Sequence, residues 1–317
     1  MTDLTALVFV AALVVAMLID HYLGEPTTRL HPVVWMGNYL NWAASRLQPN
    51  PSPTIRDLTS FWLAAAYWWL GAAMVLIVAW ALQWAAAQLP WYAAALLLGL
   101  ALKPMLAWAM LLSEVHSVEI ALSQSLDAGR KRLAMLVSRD TSRLSESEVR
   151  ESAIESLAEN LNDSVVAPIF WFVLFGLPGA AVYRFANTAD AMWGYRGQRG
   201  GVNWEWAGKW AAWADDVLSW LPARITALLL AVVTCAVNLK ALRLEANKTP
   251  SPNSGWPMAA MALALGVRLQ KPGAYVLNAT GRSPEPPDIA LAQKIALKVL
   301  IASVMCAQVA ILLIAYS

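Results

Sequence analysis

The stretch LTSFWLAAAYWWLGAAMVLIVAWALQWAAAQLPWYAAALLLGLAL, residues 58–102, contains no aspartate, glutamate, lysine or arginine. A helix that crosses a lipid bilayer needs about 20 apolar residues, so this stretch is long enough for two. Proline lacks a backbone N–H and does not fit inside a helix, and Pro90 lies near the junction of two such lengths. The stretch therefore predicts two transmembrane helices separated at Gln88-Leu89-Pro90.

Two further uncharged runs lie near the chain ends, at residues 4–19 and 299–317. The first lacks a preceding positive region and a small-residue cleavage site, so we interpret it as a retained membrane helix.

We predict an all-α polytopic integral membrane protein, with residues 1–317 forming a single membrane domain. Transmembrane helices are expected at about residues 4–23, 60–88, 91–112 and 297–316, with broken or re-entrant helices and cytoplasm-facing helical loops in a polar, site-bearing region at 113–298.

The composition agrees with a membrane protein. Hydrophobic residues make up 59% of the 317 residues and charged residues 14%, whereas soluble domains have about 25% charged residues. The 17 tryptophans are typical of aromatic belts at bilayer interfaces. The net charge of +2 gives no indication of the strongly basic surface that nucleic-acid-binding proteins have. The lipid bilayer is thus the expected partner, and nucleic acid is not.

Three shorter apolar segments, at 164–183, 225–239 and 249–267, contain or adjoin prolines. Lysines and arginines favour the cytoplasm, which predicts an external N-terminus and internal segments at 24–57 and 113–163. One active site needs its motifs on one side of the membrane. We therefore expect that neither 164–183 nor 217–239 crosses completely, and that 113–298 belongs mainly to one cytoplasm-facing unit.

An acidic helix is predicted at residues 145–163. Ser145 and Glu148 have the spacing of a capping box. Polar residues then recur at three- and four-residue steps and share one face: Glu148, Ser152, Glu155, Glu159 and Asn162. Residues 151–183 contain no basic residue. The acids therefore need partners from another segment, a cation or water.

Further polar groups occur in DHYLGEPTTRLHPVVWMG (20–37), SRDTS (138–142), YRFANTADAMWGYRGQR (183–199), DDVLSWLPARITA (215–227) and SPNSGWP (251–257). Each has a structural interpretation: caps and turns for the asparagines and aspartates, lipid phosphates for the arginines, and a structural role for His31. Together, carboxylates beside arginines and asparagines are typical of a site for a Mg²⁺–nucleotide complex. No P-loop motif is present.

The ordered set HPVVWMG, SRDTS, ESLAENLNDSVVAP, YRFANTADAMWGYR, DDVLSWLPAR and SPNSGWP covers nearly the whole chain. This set resembles the CobD/CbiB family of cobalamin biosynthesis, the adenosylcobinamide-phosphate synthases. The resemblance implies a multi-pass protein of the bacterial inner membrane. It also implies ATP- and Mg²⁺-dependent formation of an amide between adenosylcobyric acid, a corrinoid, and aminopropanol or its phosphate. Other membrane-bound enzymes of cobalamin assembly are candidate partners.

The resemblance also implies site residues. Candidates for catalysis are Glu155, Glu159, Asp163 and Asp190. Candidates for substrate or phosphate binding are His31, Arg139, Asn160, Arg184, Asn187, Tyr195, Arg196, Arg224 and Asn253. Glu155, Glu159 and Asp163 are expected to serve Mg²⁺ or to act as bases, and Asp215 and Asp216 are further metal candidates. The free and the phosphorylated aminoalcohol both remain open as the substrate.

The chain departs from the family pattern in its C-terminal half. The usual histidine before Ser-Pro-Asn is replaced by Lys248-Thr249-Pro250, and the usual glutamate after Gly-Trp-Pro by Met258. Other departures are Trp213, Ser219, Leu263 and Gln270-Lys271. The alternative function is therefore a non-catalytic corrinoid-binding or sensor-type membrane protein of the same superfamily. A transporter is disfavoured, because the expected spans carry almost no ionisable residues.

Overall fold

The computed structural model describes residues 3–47, 49, 56–199 and 202–316, and nearly all of its regular structure is helical. The helices are α1 Asp3–Leu23, α2 Pro32–Ala44, α3 Leu58–Ala86, α4 Trp91–Leu102, α5 Trp108–Gln124, α6 Leu126–Leu133, α7 Glu146–Leu161, α8 Ala167–Trp193, α9 Trp204–Ala207, α10 Lys209–Thr234, α11 Leu239–Ala246, α12 Gly255–Leu265 and α13 Pro286–Tyr316. Two short antiparallel hairpins pair β1 Gln198–Arg199 with β2 Val202–Asn203, and β3 Leu269–Lys271 with β4 Tyr275–Leu277.

Six helical segments of the described residues are long and apolar enough to cross a membrane: Leu4–Leu23, Leu58–Ala86, Trp91–Gln124, Glu146–Trp193, Trp204–Thr234 and Pro286–Tyr316. The all-α, polytopic membrane fold is thus confirmed. The break before Pro90 is also confirmed, since α3 ends at Ala86 and α4 begins at Trp91. The expected span 91–112 is not one helix, because a 3-10 turn at Lys103–Met105 separates α4 from α5.

The internal contacts divide the chain into two units, and the predicted assignment to a single membrane domain stays a prediction. The first unit comprises Met1–Leu106, Ala167–Leu218 and Ala307–Ser317, and the second comprises Ala107–Val166 and Ser219–Cys306. In the first unit α1 packs against α4, and α8 packs against α2 and α3. Gly99 of α4 allows the close approach of α1, since a side chain there would meet Val15 and the carbonyl of Ala12.

In the second unit, α7 packs against α5, α6, α12 and β3. The helix begins with the predicted capping box, in which Ser145 and Glu148 cap each other's backbone N–H groups. It does not stop at residue 163 but continues into α8 through a π-helical turn at Asn162–Val166. Within the second unit, the Ser164 carbonyl in this turn accepts a hydrogen bond from the backbone N–H of Ala107 at 3.1 Å.

A break inside α8 coincides with the predicted interruption near Pro178. Gly176 has φ 66° and ψ −153°, a conformation outside the helical region that glycine alone adopts easily. The break leaves the Leu177 N–H without a helical partner, and Gln83 Oε1 of α3 accepts a hydrogen bond from it at 2.8 Å. Irregular backbone at membrane depth is tolerated where protein groups satisfy it. By contrast, α10 runs through Pro222 as one helix.

The contact between Gln83 and Leu177 leads to a stability prediction. In the Gln83→Leu variant the Leu177 N–H has no acceptor, and we expect a loss of about 1–3 kcal/mol in the free energy of unfolding. Gln88→Leu, in the exposed link after α3, is the matched control and should change stability by less than about 0.5 kcal/mol. Thermal unfolding in detergent measures both. Equal stability of the two variants would show that water or another group satisfies Leu177.

The lengths of α8 and α10 bear on the expected topology. The segment 164–183 lies in the helical run Glu146–Trp193, and most of 217–239 lies in Trp204–Thr234, and both runs are long and apolar enough to cross a membrane. The expectation that neither segment crosses completely stays a prediction.

Cysteine labelling tests this topology. Cys235 and Cys306 are first replaced by serine, and single cysteines are placed at the exposed positions Gln198 in β1 and Asp127 in α6. We expect a membrane-impermeant maleimide to label both positions in inverted vesicles and neither position in right-side-out vesicles. Labelling of the cysteine at position 198 in right-side-out vesicles would contradict the expectation that neither segment crosses completely.

Candidate active site

The acidic helix α7 is buried along nearly its whole length, with every residue from Val149 to Ala158 buried. Its acids obtain partners from distant segments, as the absence of nearby basic residues had required. Glu155 accepts a hydrogen bond from Arg139 Nη2 at 3.0 Å, and Arg139 also donates to Ser152. Glu151, which is fully buried, accepts from the backbone N–H of Gln270 at 3.0 Å and lies 3.4 Å from Arg268 Nη2.

The Arg139–Glu155 ion pair is incompletely satisfied. The side chain of Glu155 is 6% exposed and that of Arg139 18%. Among the described residues, Arg139 Nε and Nη1 are buried and have no partner with hydrogen-bond geometry, and Glu155 Oε1 is also buried, with the Tyr275 phenol near this carboxylate. Buried polar atoms are nearly always hydrogen-bonded, and each exception calls for an explanation. A ligand between these atoms would provide one.

A polar pocket of about 160 Å³ adjoins this pair, and we call it the hairpin pocket. Its lining residues come from the segment after α6, from α7 and from the β3–β4 hairpin: Leu136, Val137, Ser138, Arg139, Ser152, Glu155, Ser156, Glu159, Asn160, Lys271 and Tyr275. Four predicted site residues, namely Arg139, Glu155, Glu159 and Asn160, thus meet in one place. Asn160 is oriented by a hydrogen bond from its amide to the Ser156 carbonyl at 2.9 Å.

The hairpin residues Lys271 and Tyr275 were not among the predicted site residues. They reach the pocket because Glu151 holds the adjacent Gln270 N–H of β3. Burial raises the pKa of the Tyr275 phenol, and the nearby charges of Glu155 and Glu159 and a hydrogen bond with Glu155 raise it further. The phenol therefore remains protonated at neutral pH and can donate a hydrogen bond.

The metal candidates do not form a dedicated metal cage. Within the part of the chain that the structure describes, no three histidines, cysteines or acids are grouped as metal ligands. Glu155 and Glu159 line the hairpin pocket. Asp163 lies in the π-helical turn and accepts a hydrogen bond from Asn162 at 2.8 Å. Asp215 and Asp216 belong to the first unit.

Two of the binding candidates, Arg224 and Asn253, lie in contact in the second unit. Arg224 Nη1 donates to Asn253 Oδ1 at 2.6 Å, and Nη2 donates to the Pro252 carbonyl at 3.0 Å. The guanidinium also lies over the rings of Trp220 and Trp256. These contacts show that Arg224 fixes the Ser-Pro-Asn segment.

The remaining candidates lie in the first unit. Asn187 of α8 donates to Asp215 Oδ1 of α10 at 3.3 Å, and the charge of Arg196 acts on Asp216. Tyr195 donates to the Ala191 carbonyl at 2.9 Å, and its ring stacks against Arg199. Arg184 and Asp190 lie on α8 with Asn187. These residues and those of the hairpin pocket thus belong to different units.

His31 is part of a buried charged cluster in the first unit. Its Nδ1 accepts a hydrogen bond from the Val33 N–H and caps α2, and its Nε2 lies 3.0 Å from Glu25 Oε2. Lys103 Nζ lies 2.6 Å from Glu25 Oε2 and 3.3 Å from Asp20 Oδ1. Burial alone would raise the pKa of Glu25, but His31 and Lys103 outweigh it and hold the pKa below 4.5. Both ring nitrogens of His31 thus have partners in the protein.

Sequence comparisons identify the family. A family model described as CobD/CbiB protein matches residues 13–299. The chain belongs to the CobD/CbiB family. The resemblance drawn from the motifs is therefore confirmed. Membership places the chain in cobalamin biosynthesis, a role that implies a corrinoid substrate and a membrane environment.

Individual CobD/CbiB relatives are similar along most of the chain. A probable cobalamin biosynthesis protein CobD of Methanothermobacter thermautotrophicus is 37% identical over 276 residues, which cover 85% of this chain and 86% of that protein. The protein so named in Pyrococcus abyssi is 40% identical over 280 residues, with coverages of 86% and 87%. Cobalamin biosynthesis protein CobD of Brucella suis is 36% identical over 301 residues, with coverages of 86% and 88%. No solved structure matches the chain.

Some departures from the CobD/CbiB pattern lie at the hairpin pocket. Lys271 lines it directly. Met258 of α12 is buried, and its sulfur lies 3.8 Å from the Tyr275 hydroxyl. Thr249 instead donates to the carbonyls of Ala246 and Ser251, and so stabilises the turn before the Ser-Pro-Asn segment.

Proposed function

We propose that this CobD/CbiB protein forms an amide between adenosylcobyric acid and aminopropanol or its phosphate, at the expense of ATP. The observation that carries the proposal is the hairpin pocket, where the buried Arg139–Glu155 pair presents polar atoms without protein partners. Family membership supplies the corrinoid class of substrate. Such a pair is suited to a charged ligand, because hydrogen bonds that involve an ionised group are stronger than those between neutral groups.

The proposed reaction has two steps. A carboxylate oxygen of the corrinoid attacks the γ-phosphorus of ATP, and the bond to the ADP oxygen breaks, which gives an acyl phosphate. The amine nitrogen then attacks the acyl carbon, phosphate leaves, and a base takes the proton lost by nitrogen. The products are the amide, ADP and phosphate. The protein contributes mainly positioning and neutralisation of charge.

The carboxylates have two proposed duties. Glu155 and Glu159 lie at the hairpin pocket, where either could accept the proton from the amine. Mg²⁺, when bound, neutralises charge on the phosphates, and it usually takes only one or two protein carboxylates. Glu159 and Asp163, four residues apart in the chain, are proposed as these one or two carboxylates. Asp215 and Asp216 remain a second proposed metal position.

The arginines and amides of the first unit are proposed to serve the large substrates. Arg184 and Arg196 would bind phosphate or corrinoid carboxylate groups, with Asn187, Asp190 and Tyr195 as orienting residues. Arg224 and Asn253 of the second unit are proposed for the same duty. We further propose the bacterial inner membrane as the location. Some relatives are archaeal, so family membership alone does not identify which membrane holds the protein.

Release of ADP tests the proposed function. Detergent-purified protein should release many ADP molecules per protein only when adenosylcobyric acid, aminopropanol phosphate or aminopropanol, ATP and Mg²⁺ are all present, and without the aminoalcohol it should release at most one. Omission of the corrinoid should abolish the release, because no carboxylate is available to accept the phosphoryl group. Absence of ADP release in the complete mixture, with folded protein, would contradict the proposal.

A second candidate function rests on Met258. This residue lies against Tyr275 at the hairpin pocket, where the family usually has a glutamate. A thioether cannot replace a carboxylate as a base or as a ligand for Mg²⁺. The protein would then bind the corrinoid without turnover. Corrinoid binding without ADP release would favour this candidate, and Met258→Glu should then restore release.

A further inference from the structure

We propose that α11 lies in the headgroup region of the bilayer and binds anionic phospholipids. In this arrangement Leu239 and Leu244 enter the lipid, and Lys240 and Arg243 bind the lipid phosphates. The proposal concerns a surface of the second unit and does not rest on the proposed function. The partner is a lipid of the surrounding bilayer.

The exposed face of α11 combines apolar and basic side chains. Leu239 and Leu244 are 59% and 70% exposed. Since successive residues of an α-helix are turned by about 100°, Lys240 and Arg243, which are also exposed, lie between the two leucines around the helix. Helices of the bilayer surface have this composition, because their leucines enter the acyl boundary while lysines and arginines extend to the headgroups.

The acid of α11 is turned away from this face. Residues 238–248 contain three basic residues and one acid, Glu245. Glu245 Oε2 accepts a hydrogen bond from the Asn278 N–H at 2.7 Å, and its Oε1 accepts one from Lys248 Nζ at 2.7 Å. The exposed face therefore has an excess of positive charge, which complements the charge of anionic lipid headgroups.

The inner face holds α11 in place. Leu242 and Ala246 are buried, and the helix packs against α12. Asn238 caps its start, since the Asn238 side chain accepts hydrogen bonds from the backbone N–H groups of Lys240 and Ala241 at 2.9 Å and 3.2 Å. The leucines and basic residues thus belong to a fixed surface of the second unit.

The preceding helix brings α11 close to the bilayer. The helical run Trp204–Thr234 is apolar enough to cross a membrane. Its side chains Leu228 and Val232 are exposed, so the surface suited to lipid extends almost to its end. Leu239 follows Thr234 by five positions, which an extended chain covers in at most about 17 Å. The headgroup layer is therefore within reach of α11.

A protein partner or a second copy of the chain is a less suitable occupant of this face. Protein interfaces are depleted in lysine, whereas Lys240 lies between the two exposed leucines. Lipid headgroups accept such a mixture, since phosphate groups and acyl chains lie side by side at the bilayer surface. The predicted cytoplasmic position of 113–298 would also place α11 at the leaflet that carries anionic lipids.

Lipid-specific fluorescence quenching tests the proposal. In the full-length protein, Cys235 and Cys306 are replaced by serine, and a single cysteine at the exposed position Asn247 is labelled with bimane. The protein is placed in nanodiscs of phosphatidylcholine and phosphatidylglycerol, and either lipid carries a nitroxide near its headgroup. We expect the association constant obtained from quenching to be about 10-fold or more higher for phosphatidylglycerol.

Substitutions separate the charges from the leucines. Arg243→Gln should lower the ratio of the two association constants about fivefold, and Lys240→Gln together with Arg243→Gln should bring it close to unity. Leu244→Gln should reduce quenching by both lipids alike, since it weakens insertion and leaves the charges. The matched control is Arg143→Gln, at an exposed arginine beside buried Leu144, and it should leave the ratio unchanged.

Two results would overturn the proposal. Equal association constants for the two lipids in the unsubstituted α11 would refute the binding of anionic lipid. Absence of quenching by either lipid, while a label at exposed Leu228 of α10 is quenched, would place α11 in water or against protein. Neither result bears on amide formation, which the release of ADP tests separately.

Discussion

Glu155→Gln is expected to lower the rate of amide formation by about 100-fold or more, the range seen when a positioned acid or base is removed. The substitution removes a carboxylate of the hairpin pocket that is proposed to accept the proton from the amine. It also takes from Arg139 its carboxylate partner, 3.0 Å away. Both effects act on the same bound substrate, so the loss should exceed that of other single changes in α7. Product formation measured by mass spectrometry gives the rate.

Glu146→Gln is the matched control for this variant. Glu146 lies in the first turn of the same helix, and its side chain is 58% exposed. The same chemical change there should leave the rate within about twofold, since exposed ion pairs contribute little. A Glu155→Gln variant that folds normally and retains the unmodified rate would remove the hairpin pocket from the reaction.

Lys103→Met is expected to give the largest loss of stability, about 3–5 kcal/mol, which is typical when one member of a buried ion pair is removed. Lys103 is 1% exposed and Asp20 is fully buried. Its removal takes away the ammonium group that lies 3.3 Å from Asp20 Oδ1 and 2.6 Å from Glu25 Oε2. Thermal unfolding in detergent, followed by far-ultraviolet circular dichroism, measures the loss.

Two further variants test the cause of this loss. Lys131→Met, at an exposed position in α6, should have almost no effect on stability. Addition of Asp20→Asn to Lys103→Met should recover part of the loss, because it removes a buried negative charge that the lysine had neutralised. No recovery in the double variant would indicate that packing of the lysine stem, rather than its charge, stabilises this cluster.

Local sequence rules predicted the elements that depend on neighbouring residues. The break at Gln88-Leu89-Pro90 followed from proline chemistry, and the start of α7 followed from Ser145 and Glu148. The acids without nearby basic residues correctly indicated partners from elsewhere. For Glu155 that partner is Arg139, which the motif SRDTS had already marked as a candidate.

Long-range packing determined what the sequence did not reveal. Lys103 is a single charge in an apolar stretch, and its acidic partners lie about 80 residues earlier in the chain. Its position beside Pro104 was the sequence feature that could have indicated a special role for Lys103. Lys271 and Tyr275 enter the pocket because Glu151 binds the Gln270 N–H, 119 residues away in sequence. No periodicity or local motif encodes that contact.

The break at Gly176 illustrates the same division. Pro178 indicated an interruption, but the partner that permits it, Gln83 of α3, lies 94 residues away. Pro222 gave a similar signal and yet lies within α10. A proline therefore identified positions where a helix could break, and tertiary contacts decided which of them did.

One measurement tests amide formation most directly. Adenosylcobyric acid labelled with ¹⁸O in its free carboxylate is incubated with the purified protein, aminopropanol phosphate, ATP and Mg²⁺, and the products are analysed by mass spectrometry. The account predicts a cobinamide phosphate together with inorganic phosphate that contains one ¹⁸O atom, because the carboxylate oxygen leaves with the phosphoryl group. Retention of the unmodified corrinoid on the protein, with neither amide nor labelled phosphate, would contradict it.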